Sequence, residues 1–316
     1  MSLNRVTAIA PATTANLGPG FDVFGLALKQ PHDKVKLTII PKNIQVEVTG
    51  LSAEKIPALP KKNTASMVAN HIIKEFNLET GIQINIDRGI MPGIGLGSSA
   101  ASASAVAYGL NHMFNLKLEL EDLIRLAAKG EVASAGSEHA DNVSAAICGG
   151  FVIVRSYNPL KIVNLQAPKD MEVCVAYPHI KTPANKTKKA RSVVPTQISI
   201  EKLVHNVGRA AAMASGFASG DVDLIGESMS DAVAEPERAA LIPGYQRVKG
   251  NALEAGACGV AVSGAGPAMI AIVNRRKANA SKVSKAMKEA FESTGLKATV
   301  FVTASGRGTY ILEMEK

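Results

Sequence analysis

The sequence predicts an α+β protein of two domains, and three observations carry that expectation. Segments with the two-residue alternation of strands and segments with the 3.6-residue period of helices both recur along the whole chain. The 316 residues are more than one small core usually needs. With 47% hydrophobic and 20% charged residues, no internal repeat and no low-complexity tail, the chain is expected to be folded throughout.

Strands are expected over 6–10, 34–40, 45–49, 82–87 and 151–155, where apolar residues alternate or run together. Helical spacing covers 64–76, 98 to about 114, 120–129 and 140–147, and Asn63 is a fair N-cap for the first of these. A second block opens with a strand at 172–177 and continues through helices near 200–215, 222–232 and 245–254. Strands at 259–263 and 268–273, a helix at 277–293 and strands at 297–303 and 309–313 complete it. A soft boundary between Pro159 and Asp170 divides the chain into domains of residues 1–165 and 166–316.

Composition narrows the function. Cys148, Cys174 and Cys258 are odd in number and far apart, which excludes a disulfide framework or a CxxC metal knuckle and suits a reducing compartment. Aromatic residues make up 4% with no Trp, which disfavours a base-stacking surface. The net charge of +8 suits small phosphates and carboxylates as well as nucleic acid, and the basic residues are scattered except between Lys181 and Arg191. No nucleic-acid partner is expected. The uncharged stretches 89–116 and 255–274 are broken by Gly, Pro, Ser or Asn, and the apolar run after Val6 is too short for a signal peptide, so no membrane segment is expected and a cytoplasmic location is.

The most informative segment is Pro92-Gly93-Ile94-Gly95-Leu96-Gly97-Ser98-Ser99-Ala100-Ala101. It follows an expected strand and opens a long helix of small residues. Three glycines let the backbone turn sharply and point N–H groups inward, and the helix start adds its positive end, which together suit a polyanion such as a triphosphate. Ser98 and Ser99 add hydroxyls for capping, phosphate or metal. A Walker A loop is excluded because the chain contains no Gly-Lys pair. Gly95, Gly97 and Ala100 nominally satisfy the dinucleotide pattern, but residues 88–93 intervene after the strand and no acidic residue ends a second strand where that pattern requires one.

The segment 131–142 sets Glu131, Glu138 and Asp141 together with His139 and Asn142 among small residues. Such carboxylates suit Mg²⁺ ligation or proton handling, and the ordinary alternative is helix capping by Ser137, Asp141 or Asn142. The tract 181–191, from Lys181 through Lys186, Thr187, Lys188 and Lys189 to Arg191, contains no acid. It fits a solvated basic loop or a cover over an anionic substrate. Ser263-Gly264-Ala265-Gly266-Pro267 follows a buried-looking strand as a turn. There is no HExxH and no Gly-x-Ser-x-Gly.

In this order the pieces resemble the galactokinase–homoserine kinase–mevalonate kinase–phosphomevalonate kinase (GHMP kinase) superfamily. The three motifs that carry the resemblance are residues 11–22, 92–101 and 263–267, and it covers essentially the whole chain. Ala10-Pro11-Ala12-Thr13-Thr14-Ala15-Asn16-Leu17-Gly18-Pro19-Gly20-Phe21-Asp22 is similar to the homoserine kinases of that superfamily and lacks the Gly-Glu-His element of galactokinases and mevalonate kinases. Glu235-Pro236-Glu237-Arg238 and Leu241-Ile242-Pro243-Gly244 are also similar to them.

The resemblance implies an N-terminal domain like the second domain of ribosomal protein S5, with a left-handed βαβ crossover, followed by a ferredoxin-like α/β sandwich. It implies ATP-dependent phosphorylation of the hydroxyl of L-homoserine on the route to threonine, by an enzyme expected as a homodimer. Carried onto this chain, it implies that Pro92, Gly93, Ile94, Gly95, Leu96, Gly97, Ser98, Ser99 and Ala100 bind the ATP phosphates, with Asn63 near the adenine. Ser98 and Glu131 would hold Mg²⁺. Asn16, Asp22, His139, Asp141, Thr187, Arg191 and Arg238 would bind homoserine, and Asn142, Asp141 and Arg191 would serve catalysis. Elementary chemistry agrees, since an amino acid needs a carboxylate for its ammonium and a guanidinium fork for its carboxylate.

Overall fold

Unbroken apolar and small side chains make the first strand, β1 (Arg5–Asn16), buried at every position after Arg5. It runs six residues past the expected span. In the computed structural model, which describes residues 3–57, 59–135, 139–181, 183 and 186–316, β1 pairs with β2 (Gly20–Ile40), a strand three times longer than its alternating part suggests. There follow β3 (Ile44–Gly50), α1 (Thr64–Glu75), β4 (Gly81–Arg88), α2 (Ser98–Met113), α3 (Leu120–Ala135), α4 (Asp141–Cys148), β5 (Phe151–Tyr157) and β6 (Leu160–Leu165). The parallel pair β3–β4, joined through α1, is the βαβ crossover in a sheet whose other pairings are antiparallel. That sheet is not doubly wound, so the nominal dinucleotide pattern at Gly95, Gly97 and Ala100 is not set in a dinucleotide fold.

The second block contains β7 (Met171–Pro178), α5 (Lys186–Ser192), α6 (Ile200–Ser219), α7 (Val222–Glu227), α8 (Glu235–Ala239), α9 (Tyr245–Glu254), β8 (Gly259–Val262), β9 (Met269–Asn274), α10 (Ala280–Glu292), β10 (Ala298–Thr303) and β11 (Tyr310–Glu315). Its antiparallel sheet has the order β10-β7-β9-β8, the strand order of a ferredoxin-like sandwich. Five elements differ from expectation. β6, α5 and α8 were not anticipated, α7 stops at Glu227 rather than 232, and β11 does not join the second sheet but closes the first against β1.

The two sheets share one buried cluster. Val173, Ile270 and Ile272 of the second sheet belong with Val6, Leu26 and Phe151 of the first, and the Phe151 and Phe217 rings stack with centroids 3.8 Å apart. Helix α2 lies in the middle of this core because it is built of Ala, Ser and Gly. A Cβ at Gly109 would stand 2.6 Å from the Leu37 side chain. Its small residues let the helix, and with it the glycine loop at its start, lie close to the sheet. Among the described residues no helix is long and apolar enough to cross a membrane.

Candidate active site

The loop from β4 to α2 turns through Gly93, Gly95 and Gly97, whose φ angles of 78°, 97° and 62° lie in the left-handed region. A Cβ at Gly95 would fall 2.3 Å from the Ser263 carbonyl, and one at Gly97 1.9 Å from Thr13 Oγ1. The loop is hydrogen-bonded to both other motifs. Thr13 N–H donates to Leu96 O (3.2 Å), Ala268 N–H to Ile94 O (2.9 Å), and the Ser263 hydroxyl sits 2.7 Å from Gly95 O. Gly264 N–H in turn donates to Ala15 O (3.1 Å), so three segments far apart in sequence form one scaffold. Helix α2 starts at Gly97 without a side-chain cap, which corrects the capping alternative for Ser98 and Ser99 and leaves the first N–H groups for a ligand.

This scaffold opens onto a cavity of about 640 Å³. Asn16, Asp22, Asn63, Pro92, Gly93, Gly95, Leu96, Gly97, Ser98, Ser99, Glu131, His139, Asp141, Asn142, Thr187, Arg191 and Arg238 all line it. Two expected residues do not. Ile94 and Ala100 are buried in the core beneath the loop, so the side chains at those positions pack rather than bind. Ser99, not Ser98, donates to Glu131 Oε2 (3.0 Å), while Ser98 Oγ is buried with no hydrogen-bond partner among the described residues. Gly136, Ser137 and Glu138 lie outside the described residues, as do Thr182, Ala184 and Asn185.

Lys55, Ile56, Pro57, Lys62 and Thr64 line the same cavity as Asn63. The Asn63 side chain is committed to the protein: Oδ1 accepts from Ala65 and Ser66 N–H as the cap of α1, and Nδ2 donates to Pro57 O (2.8 Å). It shapes this part of the cavity rather than offering a free amide.

A buried ion pair that sequence patterning did not reveal supports the loop from below. Arg88 Nη2 lies 3.5 Å from Asp33 Oδ2 and donates to Ser98 O (3.2 Å), and Asp33 Oδ1 accepts from Gly89 and Ile90 N–H at 3.0 and 2.9 Å. Burial pushes the Asp33 carboxyl up, with Arg88 opposing, and lowers the Arg88 guanidinium.

Another group of lining residues gathers charge. Asn16, Leu17 and Asp22 all have positive φ, at 72°, 48° and 60°. Asn16 holds the turn by accepting from Asp22 N–H (3.2 Å) and donating to Gly264 O (3.1 Å). Non-glycine residues in this region store strain of order 1–3 kcal/mol each, which the surrounding bonds must hold. Arg191 Nη2 pairs with Asp22 Oδ2 and lies 3.0 Å from His139 Nδ1, itself 3.7 Å from Asp22 Oδ1. Burial lowers the His139 imidazolium, with Asp22 opposing. The Asp141 carboxyl is pushed up to about 6 by burial and by the Asp22 charge. Its Oδ1 accepts from Asn142 N–H (2.7 Å) and lies 3.3 Å from Asn142 Nδ2, so Asp141 opens α4 without acting as its N-cap.

Arg238, on α8, is buried and donates from Nε to Ala190 O (2.9 Å) and from Nη1 to Gly264 O (3.0 Å). The Arg191 and Arg238 guanidiniums stand 5.3 and 4.9 Å from the centre of the Phe21 ring. Residues 186–191 do not form a solvated loop. They lie in α5, with Thr187 and Arg191 one turn apart on the cavity side, Ala190 buried, and Lys188 and Lys189 facing solvent. Lys186, to which no role had been assigned, donates from Nζ to Gly266 O, and burial beside Arg238 lowers its ammonium to about 7. That i, i+4 spacing of Thr187 and Arg191 was the signal available in the sequence.

A phosphate-cradling loop that shares one cavity with a cluster of carboxylates and guanidiniums, on this two-sheet fold, defines an ATP-dependent phosphotransferase with an alcohol group as acceptor. The family model for the GHMP kinases N terminal domain matches residues 63–150, and that for the GHMP kinases C terminal matches residues 213–293. A homoserine kinase of Methanococcus vannielii is 42% identical over 315 residues, covering 99% of this chain and all of its own. One from Halorubrum lacusprofundi is 43% identical over 98% of this chain and 99% of its own. A crystal structure of homoserine kinase from Cytophaga hutchinsonii, 37% identical, superposes with a TM-score of 0.90 over 98% of each chain. The chain belongs to the homoserine kinase family of GHMP kinases.

Proposed function

We propose that this protein transfers the γ-phosphoryl group of ATP to the side-chain hydroxyl of L-homoserine, giving ADP and O-phospho-L-homoserine. The observation that supports it best is the charge pattern of the cavity. Asp22 and Asp141 suit an ammonium, Arg191 and Arg238 suit a carboxylate, and the glycine loop suits a triphosphate. We take the domains to be residues 1–165 and 166–316, with the last strand of the second completing the sheet of the first, and the enzyme to work in the cytoplasm on free small molecules.

In the reaction the hydroxyl oxygen bonds to the γ-phosphorus as the bond to the β-phosphate oxygen breaks, and the hydroxyl proton passes to a carboxylate. Asp141 is suited to receive it, since a carboxyl near 6 is mostly ionised at pH 7 yet remains a useful base. Asn142, held by Thr13 and beside Asp141, would orient the acceptor. The N–H groups of residues 93–99 would stabilise the phosphates, so that positioning and preorganised charge supply most of the rate. The donors present fit magnesium: Ser98 Oγ is a buried oxygen with no hydrogen-bond partner among the described residues, and Glu131 offers a carboxylate within the same cavity. When bound there, the ion would neutralise charge on the phosphates.

The test is a coupled ADP-release assay with L-homoserine, 4-hydroxybutyrate and 3-aminopropanol. L-homoserine should give by far the highest kcat/KM, because only it presents both charged groups. Equal turnover of an analogue lacking one of them would overturn the substrate assignment and leave a kinase of another small alcohol.

A further inference from the structure

Lys186 sits in the cavity with no countercharge beside it among the described residues. Its ammonium donates to the carbonyl of Gly266, and among the described residues no carboxylate pairs with it; the charged group against it is Arg238, another cation. The neighbouring cations are occupied differently. Arg191 is paired with Asp22, and Arg238 spends Nε and Nη1 on two backbone carbonyls. An ammonium has three donors, so two remain beyond the bond to Gly266. A cation withdrawn from water without a countercharge is costly, and an arriving anion removes that cost.

The position of Gly266 favours a phosphoryl anion. Its carbonyl oxygen lies against the inner turn of the glycine loop, where a Cβ on Gly95 would approach it to 2.9 Å, and the Gly95 carbonyl is bonded to Ser263 in the same turn. Lys186 is therefore tethered beside the loop, whereas Arg191 is anchored to Asp22. We propose that Lys186 binds the phosphoryl group in transfer, its ammonium staying with the phosphoryl oxygens as the group passes from ATP to the acceptor oxygen. This rests on the phosphotransferase reading of the cavity and not on which alcohol is the acceptor.

Two variants of the full chain separate charge from tether. Lys186→Gln keeps a donor for the Gly266 carbonyl and loses the charge; Lys186→Arg keeps the charge. Lys186→Gln should lower kcat about 10²-fold while the KM for homoserine stays within roughly threefold, because a donor to developing charge acts in the transition state. Lys186→Arg should recover most of the loss. Wild-type kcat in Lys186→Gln would make the residue a tether only, and a raised homoserine KM at unchanged kcat would assign it to the acceptor carboxylate; either result overturns the proposal.

A measurement on the unmodified protein does not depend on variants folding. Acetylation of Lys186 by an amine reagent, followed by peptide mass spectrometry, should be suppressed by a non-hydrolysable ATP analogue with magnesium and little affected by ADP. Protection by homoserine alone, or equal protection by ADP, would overturn the assignment. Failure of the homoserine reading would appear instead as absent turnover with homoserine in the wild-type assay, with protection by the ATP analogue intact.

Discussion

Thr13 Oγ1 donates to Oδ1 of Asn142 across 2.7 Å, joining β1 to the start of α4. The bond fixes which way the Asn142 amide faces. Its oxygen is occupied by Thr13, so its NH₂ is the part left for Asp141 and for a ligand. The Thr13 hydroxyl occupies the space where a side chain on Gly97 would be, so the phosphate loop closes on the same contact.

Thr13→Val should remove that bond and leave the half-buried Asn142 oxygen without its donor, costing about 1–3 kcal/mol. Thr13→Ser should stay near wild type in both stability and kcat. Urea denaturation and steady-state kinetics check this; equal behaviour of the two variants would show that the hydroxyl holds nothing.

Gly97→Ala combines two penalties. At φ 62° an alanine carries about 1–2 kcal/mol of left-handed strain, and its Cβ would stand 1.9 Å from Thr13 Oγ1. Gly220, with φ 77° and open space around its Cα, is the control for strain alone. Gly97→Ala should lower stability further than Gly220→Ala and, if the loop positions the ATP phosphates as proposed, reduce kcat by at least about tenfold. Thermal melts and kcat of both variants test it.

Asp33→Asn should be severe although it lies outside the cavity. It leaves the buried Arg88 guanidinium without its countercharge, and breaking such a pair costs about 3–5 kcal/mol. Because Arg88 also donates to Ser98 O, a folded variant should bind ATP more weakly. Denaturant midpoints together with nucleotide titration measure the two effects separately.

What the sequence disclosed followed from local spacing. The glycines at 93, 95 and 97 needed no neighbour to be recognised, because the backbone chemistry of a phosphate loop is contained in ten residues. The Asp33–Arg88 pair depends on the register of β2 against β4, one step beyond the Lys34–Asp87 pair, and alternation alone does not set register. β11 followed the strand pattern of its block, yet it pairs with β1, since periodicity names a strand without naming its partner. Lys186 was hidden by composition: in a tract of like charges, a half-buried lysine that lines the cavity and two solvated ones look the same.

Asp141 sets a pH dependence whose sign follows from its environment. Its carboxyl rises from 3.8 to about 6 in the folded protein, so the native state holds the proton more tightly than the unfolded chain. Below about pH 4 both states are protonated and nothing is lost; from there up to about 6 the native state loses stability, by roughly 3 kcal/mol in all. Asp141→Asn should therefore raise the melting temperature at pH 7.5 and not at pH 4, while kcat falls. In the wild type, kcat/KM should drop as pH falls below about 6, where Asp141 takes up its proton. A stability gain equal at both pH values would show that the carboxyl is not perturbed in this way.

Arg191 should separate homoserine from other acceptors. Its guanidinium reaches Asp22 and His139 while Arg238 is fastened to the Ala190 and Gly264 carbonyls, so the two arginines differ in what they can give a ligand. A charge-assisted hydrogen bond to the substrate carboxylate is worth roughly 1.5–3 kcal/mol, and 1.4 kcal/mol is about tenfold. Arg191→Ala should then raise the homoserine KM about 10- to 150-fold, with the ATP KM little changed, as expected if the glycine loop holds the phosphates. Arg191→Lys should restore only part, since an ammonium keeps the charge and loses the fork. Arg238→Ala should raise the same KM and also lower the melting temperature, because it removes two bonds that fix α8 to the site. A merely solvated arginine predicts the contrary: small effects on both substrates, weakened by salt. Kinetics with each substrate varied in turn decide between them, and a loss of ATP affinity with homoserine affinity retained would move Arg191 to the nucleotide.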